Sequence, residues 1–132
     1  MASFETRVRE LANRADLRIH DLNSSRAQLR FSCKRNSQVL WIYPFDTIWE
    51  FSCVSAITFR NAEDFPQAIL AVVLMKNSKN KRGFWCLEKL RDEYALEYMQ
   101  NFAEYLLTPD EFERTCWSIV REVDDLEAAV FR

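Results

Sequence analysis

The chain has 132 residues, a formal net charge of −2, 48% hydrophobic residues, 10 Phe, 4 Trp and 4 Tyr. That length suits one domain spanning 1–132, and the aromatic content excludes a disordered chain, which lacks the side chains to build a core. The single glycine, Gly83, excludes glycine-cradled nucleotide sites, because the P-loop and the dinucleotide fingerprint both need several glycines close together.

Ser3 is a plausible N-cap. After it Phe4, Val8, Leu11, Ala12 and Ala15 recur at helical spacing, predicting an amphipathic helix that ends near Asp16. Asp21 to Ser25 reads as polar turn material. Leu29, Phe31 and Cys33 then alternate with Arg30, Ser32 and Lys34, the period-two pattern of a half-buried strand. Lys34 to Ser37 turns the chain into a second strand, Gln38 to Phe45. Here Val39, Trp41, Tyr43 and Phe45 point one way and Leu40 and Ile42 the other. A strand apolar on both faces is expected to be central and covered on both sides. Thr47 to Ser55 forms a third strand, with Trp49, Phe51 and Cys53 on one face and Glu50 and Ser52 on the other.

Asp64 to Lys76 is predicted as a helix with Pro66 in its first turn. Its body, Ala68 to Met75, is apolar all round, so it must be buried in the core, in a subunit interface, or both. A basic loop, Asn77 to Arg82, leads to a fourth strand over Gly83 to Glu88 and a fifth over Glu93 to Gln100. Thr108-Pro-Asp-Glu111 is a capping box with Pro at the first helical position. Beyond it Phe112, Cys116, Ile119, Val120, Val123 and Leu126 trace the apolar stripe of a long closing helix. The expected order is α-β-β-β-α-β-β-α. It describes an α+β fold with an antiparallel sheet of about five strands flanked by helices.

From Leu74 to Glu127 the chain resembles the YbjN-like family, of the same fold group as the dimeric type III secretion chaperones. An apolar helix ends in Leu74-Met-Lys-Asn77. A short loop leads to Gly83-Phe84 and a two-stranded hairpin, and T-P-D-E-F-E opens a helix closing on Glu122-Val-Asp-Asp-Leu-Glu127. The first 60 residues match in element order alone. The resemblance implies a small acidic protein, commonly dimeric, that binds polypeptide and has no known catalytic residues.

Chemistry-bearing residues are sparse. His20 is the one histidine, and beside Asp16 and Asp21 it reads as a solvated loop residue, because transition-metal sites want more nitrogen or thiolate ligands. Cys33, Cys53, Cys86 and Cys116 have no C-x-x-C spacing and sit in apolar runs. The expectation is four reduced, mostly buried thiols in the cytoplasm, with two disulfides in a secreted protein as the other reading. Residues 1–17 hold no continuous apolar signal region, and Ala68 to Met75 falls short of the roughly 20 residues that span a bilayer.

Residues 92–132 carry 3 basic and 11 acidic groups, whereas residues 1–35 carry 8 basic and 4 acidic. This asymmetry reads either as solvated helix faces or as complementarity within or between subunits. Glu122, Asp124, Asp125 and Glu127 are expected on a solvated face. No catalytic residue, cofactor or metal is expected.

Two binding surfaces stand out. The first is apolar: Phe65, Ile69, Val72 and Val73 on the middle helix with Leu40 and Ile42 on the second strand, suited to a second copy of the chain or to a protein or peptide partner. The second is the basic cluster Lys76, Lys79, Lys81 and Arg82 beside Phe84 and Trp85, which could hold phosphates and stack bases. The acidity of the whole chain weighs against nucleic acid. The leading expectation is a homodimeric, chaperone-like or adaptor protein without enzymatic activity.

Overall fold

The structure, a computed structural model, describes residues 3–131. Helix α1 (Phe4–Arg14) leads into strands β1 (Ile19–Leu22), β2 (Ala27–Ser32), β3 (Ser37–Phe45) and β4 (Ile48–Phe59). Helix α2 (Gln67–Lys79) crosses to the hairpin of β5 (Gly83–Leu90) and β6 (Glu93–Ala103), and α3 (Pro109–Val130) closes the chain. The fold is α+β, built on one antiparallel sheet in the order β1-β2-β3-β4-β6-β5.

The sheet has six strands rather than about five. The additional one is β1: Asp21 and Leu22 pair with β2 as part of a short edge strand. The polar turn begins only at Asn23, whose Oδ1 accepts from the Ser25 and Arg26 amides at 2.8 and 3.0 Å. Side chains of this kind substitute for a backbone turn partner.

The N-termini of α1 and α3 follow their sequence signals, whereas α2 runs over Gln67–Lys79 and not the expected Asp64 to Lys76, with Pro66 as its N-cap residue. Ser3 Oγ accepts from the Thr6 amide at 3.2 Å, and Thr108 Oγ1 from the Glu111 amide at 3.1 Å, each satisfying one orphan donor. The Glu111 side chain does not complete the reciprocal half of a capping box. It turns to Arg82 and Arg114 instead.

One hydrophobic cluster joins all three helices to one face of the sheet. Val8 and Leu11 come from α1 and Val73 from α2. The α3 stripe Phe112, Cys116, Ile119, Val120, Val123 and Leu126 is buried as predicted. From the sheet come Leu29, Leu40, Ile42, Phe51, Cys53, Trp85 and Tyr98.

This arrangement corrects the reading of β3. Leu40 and Ile42 are fully buried under the helices and form no docking surface. Their neighbours Val39, Trp41 and Tyr43 point to the opposite face and are only half-buried. No residue of that outer face belongs to the core cluster, so the expected cover on both sides of β3 is present on one side alone.

The C-terminal carboxylates are corrected as well. Asp124 and Glu127 are buried and work as structural acceptors. Asp124 takes the Arg35 and Asn36 amides, both at 2.9 Å, and Gln38 Nε2 at 3.2 Å. Glu127 takes Gln38 Nε2 at 2.8 Å, Asn36 Nδ2 at 3.2 Å and the Ala56 amide at 2.7 Å. The Ala56 contact lies inside the register shift of β4 between Val54 and Thr58. Glu127 thus satisfies an amide that the bulge leaves without a strand partner. Charge complementarity within the subunit accounts for further acids of α3: Lys76 meets Glu122 at 3.8 Å and Arg82 meets Glu111 at 3.1 Å.

Candidate functional site

Two apolar surfaces remain uncovered, and each follows from how local sequence meets the sheet. The first is α2. Pro66 opens it as the N-cap residue, with its fixed φ of −57° and no amide to satisfy. The helix then packs a single stripe on the rest of the subunit, with Val73 buried and Ile69 and Leu70 partly buried. Ala68, Ala71, Val72, Leu74 and Met75 face solvent, Val72 at 45%, Leu74 at 67% and Met75 at 62% exposure. Phe65, just before the helix, is buried against Phe59 with ring centroids 4.7 Å apart. The predicted apolar set therefore divides. Phe65 and Val73 belong to the core, Val72 to the surface, and Ile69 lies between. Ile69 and Val72 also line an apolar groove of about 310 Å³ with Leu126, Ala129 and Val130 of α3.

The second surface is the outer face of the sheet. Trp41 and Tyr43 stack along β3 with centroids 6.2 Å apart and an interplanar angle of 19°. Phe45 is 60% exposed, and Ile48, Phe84 and Leu90 are also open. Trp41, Tyr43 and Phe45 line a hollow of about 470 Å³ together with Arg26, Glu50, Glu88, Leu90 and Glu97. These aromatics, and not Leu40 and Ile42, form the uncovered apolar face of β3, which its alternation alone does not distinguish from the buried one.

The hollow is acidic. Burial pushes the Glu97 carboxyl up to about 8, aided by Glu88 and Glu50, and it raises Glu50 with help from Glu88. Cys86, beside Glu97, is pushed up to about 12 by burial and by the same carboxylates. Cys33 rises to about 11 through burial and Asp124, and burial raises Cys53 and Cys116 as well. None of the four thiols has the lowered pKa of an activated nucleophile. All four are free, with Cys53 and Cys116 buried and Cys33 and Cys86 half-buried.

The basic loop is partly neutralised. Lys76 and Arg82 pair with carboxylates of α3, and Arg82 also lies 5.1 Å from the Phe102 ring centroid. Lys81 Nζ donates to the Ser78 carbonyl at 2.8 Å, and Lys79 is exposed at the end of α2. Trp85 does not flank the loop as a stacking platform. It is buried, and its Nε1 donates to Glu122 at 2.9 Å. His20 is exposed on β1.

Among the described residues no helix is long and apolar enough to cross a membrane. The architecture is that of an α+β domain with helices on one face of an antiparallel sheet and the other face open. No protein-family model matches the chain, and no curated protein matches it in sequence. Among solved structures it is similar to YbjN from E. coli, described as "a putative transcription regulator". That likeness has a TM-score of 0.57 at 13% identity and covers 89% of each chain, so the two share the fold.

Proposed function

We propose that this chain is a non-enzymatic protein-binding module of chaperone-like or adaptor type. It pairs with a second copy through α2 and offers the outer face of its sheet to a partner segment. The observation that carries the reading is α2, whose Val72, Leu74 and Met75 stand in solvent on a helix with no charged residue before Lys76. Isolated exposed apolar residues are ordinary, but an exposed apolar stripe on a helix whose charges are confined to its last turn is what an interface needs. Ala68 and Ala71 let two backbones approach closely, and a two-fold axis would set the same stripe against itself.

Four cysteines free of disulfides suit a reducing compartment, the cytoplasm. A nucleic-acid role, in line with the description of YbjN, has less support, since two of the four loop cations are engaged by α3 carboxylates.

Light scattering at tens of micromolar tests the pairing. The wild-type chain is expected to run as a dimer and Val72→Asp as a folded monomer with an unchanged circular dichroism spectrum. A wild-type chain that stays monomeric, or a Val72→Asp variant that stays dimeric, would remove α2 from any interface.

A further inference from the structure

Strand β5 is an edge of the sheet, paired with β6 on one side and with no strand on the other. In an antiparallel pair alternate residues exchange backbone hydrogen bonds, and the residues between them turn theirs outward. Asn77, in the last turn of α2, marks the outward set. Its Oδ1 accepts from the Trp85 amide at 2.6 Å, and its Nδ2 donates to the Trp85 carbonyl at 3.0 Å. A side-chain amide thus holds the place that a peptide group of a further strand would take.

The same alternation turns the N–H and C=O groups of Leu87 and Lys89 outward. Among the described residues nothing caps them as Asn77 caps Trp85. The edge is therefore plugged over its first half and open over its second, where Leu87 is 40% exposed. A row of open backbone groups recognises another extended backbone. Two copies of β5 pair poorly here. A two-fold axis at Leu87 would run Lys89 into the Asn77 plug, and one at Glu88 would set that carboxylate against itself.

Charge narrows the choice of partner. Side chains of an added strand alternate between the two faces of the sheet. On the outer face they would lie beside Glu88, at the rim of the hollow that holds Glu50. Glu97 is already hydrogen-bonded to Cys86 and Glu88, but neither Glu50 nor Glu88 has a cation within ion-pair distance among the described residues. The hollow's one cation, Arg26, lies over the Trp41 ring at 5.3 Å. On the helix-bearing face the neighbour is the apolar Leu87. We infer that the open edge at Leu87 and Lys89 takes up an extended polypeptide segment whose side chains alternate between basic, toward Glu88, and apolar, toward Leu87. This inference rests on the partner-binding reading above and is independent of the α2 pairing.

The probe is an acetylated hexapeptide alternating lysine and valine, titrated into the full chain with amide hydrogen exchange read by NMR. Saturable binding with new protection of the Leu87 and Lys89 amides is expected. Methylating the peptide nitrogens on the pairing side should abolish both, and a glutamate–valine counterpart should not bind. Glu88→Lys should weaken the lysine peptide about tenfold, since an attractive pair becomes a repulsive one. Asn77→Ala uncovers Trp85 and should tighten binding about fivefold, with the Trp85 amide joining the protected set. No saturable binding, or binding that survives methylation, would overturn the assignment. So would protection of Leu87 and Lys89 in the free chain that fades on dilution, the mark of a second copy. A peptide that perturbs the Trp41 and Tyr43 amides alone would overturn the edge and leave the outer-face reading standing.

Discussion

Helices α2 and α3 are both rich in apolar residues, yet they meet the subunit in opposite ways. In α3 the apolar residues form one stripe, and every member from Phe112 to Leu126 is buried. In α2 they run round the whole helix, and only Val73 is buried. A helix cannot present all its sides to a single sheet, so the even distribution guarantees a surplus on the far side. Apolar content therefore measures the cover a helix needs, and periodicity measures the cover its own chain supplies.

Phe112 gives the sharpest break in this comparison. Its ring is fully buried and meets Phe51 edge-on with centroids 5.8 Å apart. Phe112→Ala is expected to cost about 3–5 kcal/mol, read as a lower midpoint in urea with an unchanged slope. A cost below about 1 kcal/mol would mean that α3 is not the keystone of the core.

Asp124 should give an intermediate effect with a pH signature. Burial raises its carboxyl, but the Arg35 and Asn36 amides, Gln38 and the Arg35 charge outweigh burial and hold it below its ordinary value. A depressed folded-state pKa stabilises the fold above the unfolded value of about 3.9, and that contribution is lost as pH falls through the folded value. Asp124→Asn is expected to cost about 1–3 kcal/mol at neutral pH and to flatten the acid limb of the stability curve. Equal losses for both proteins at every pH would show that the charge on Asp124 is immaterial.

The contrast also shows how far the sequence could be read. The element order apart from β1, the α3 stripe and the caps at Ser3 and Thr108 were legible because each is local, set by spacing along one segment. The inward face of β3 was not, since Leu40 and Ile42 alternate with Trp41 and Tyr43 and both sets are apolar. The available signal lay across the strands: Trp41 pairs with Gln28 and Ser52, and Tyr43 with Glu50, which marks their face as the wet one. Using it requires the register, which a single strand does not carry. The burial of Asp124 and Glu127 was hidden for the same reason, because their donors lie on the β2–β3 turn and in the β4 bulge, about 70 to 90 residues away in sequence. Nor could the pairing of Cys86 with Glu97 be foreseen without the register of β5 against β6.

The smallest effect on the subunit is expected at Leu74, where the two helices differ most. Its side chain is 67% exposed and lies outside the core cluster, so Leu74→Gln removes almost no buried contact within one chain. The melting temperature of a chain held monomeric by Val72→Asp should change little on adding Leu74→Gln, within about 0.5 kcal/mol of stability. In the otherwise wild-type chain the same substitution replaces an apolar side chain in the α2 stripe with an amide. The dimer should then dissociate at a higher protein concentration, measured by sedimentation. Loss of stability in the monomeric background would instead mean that Leu74 packs inside the subunit, and the difference between α2 and α3 would shrink to one of degree.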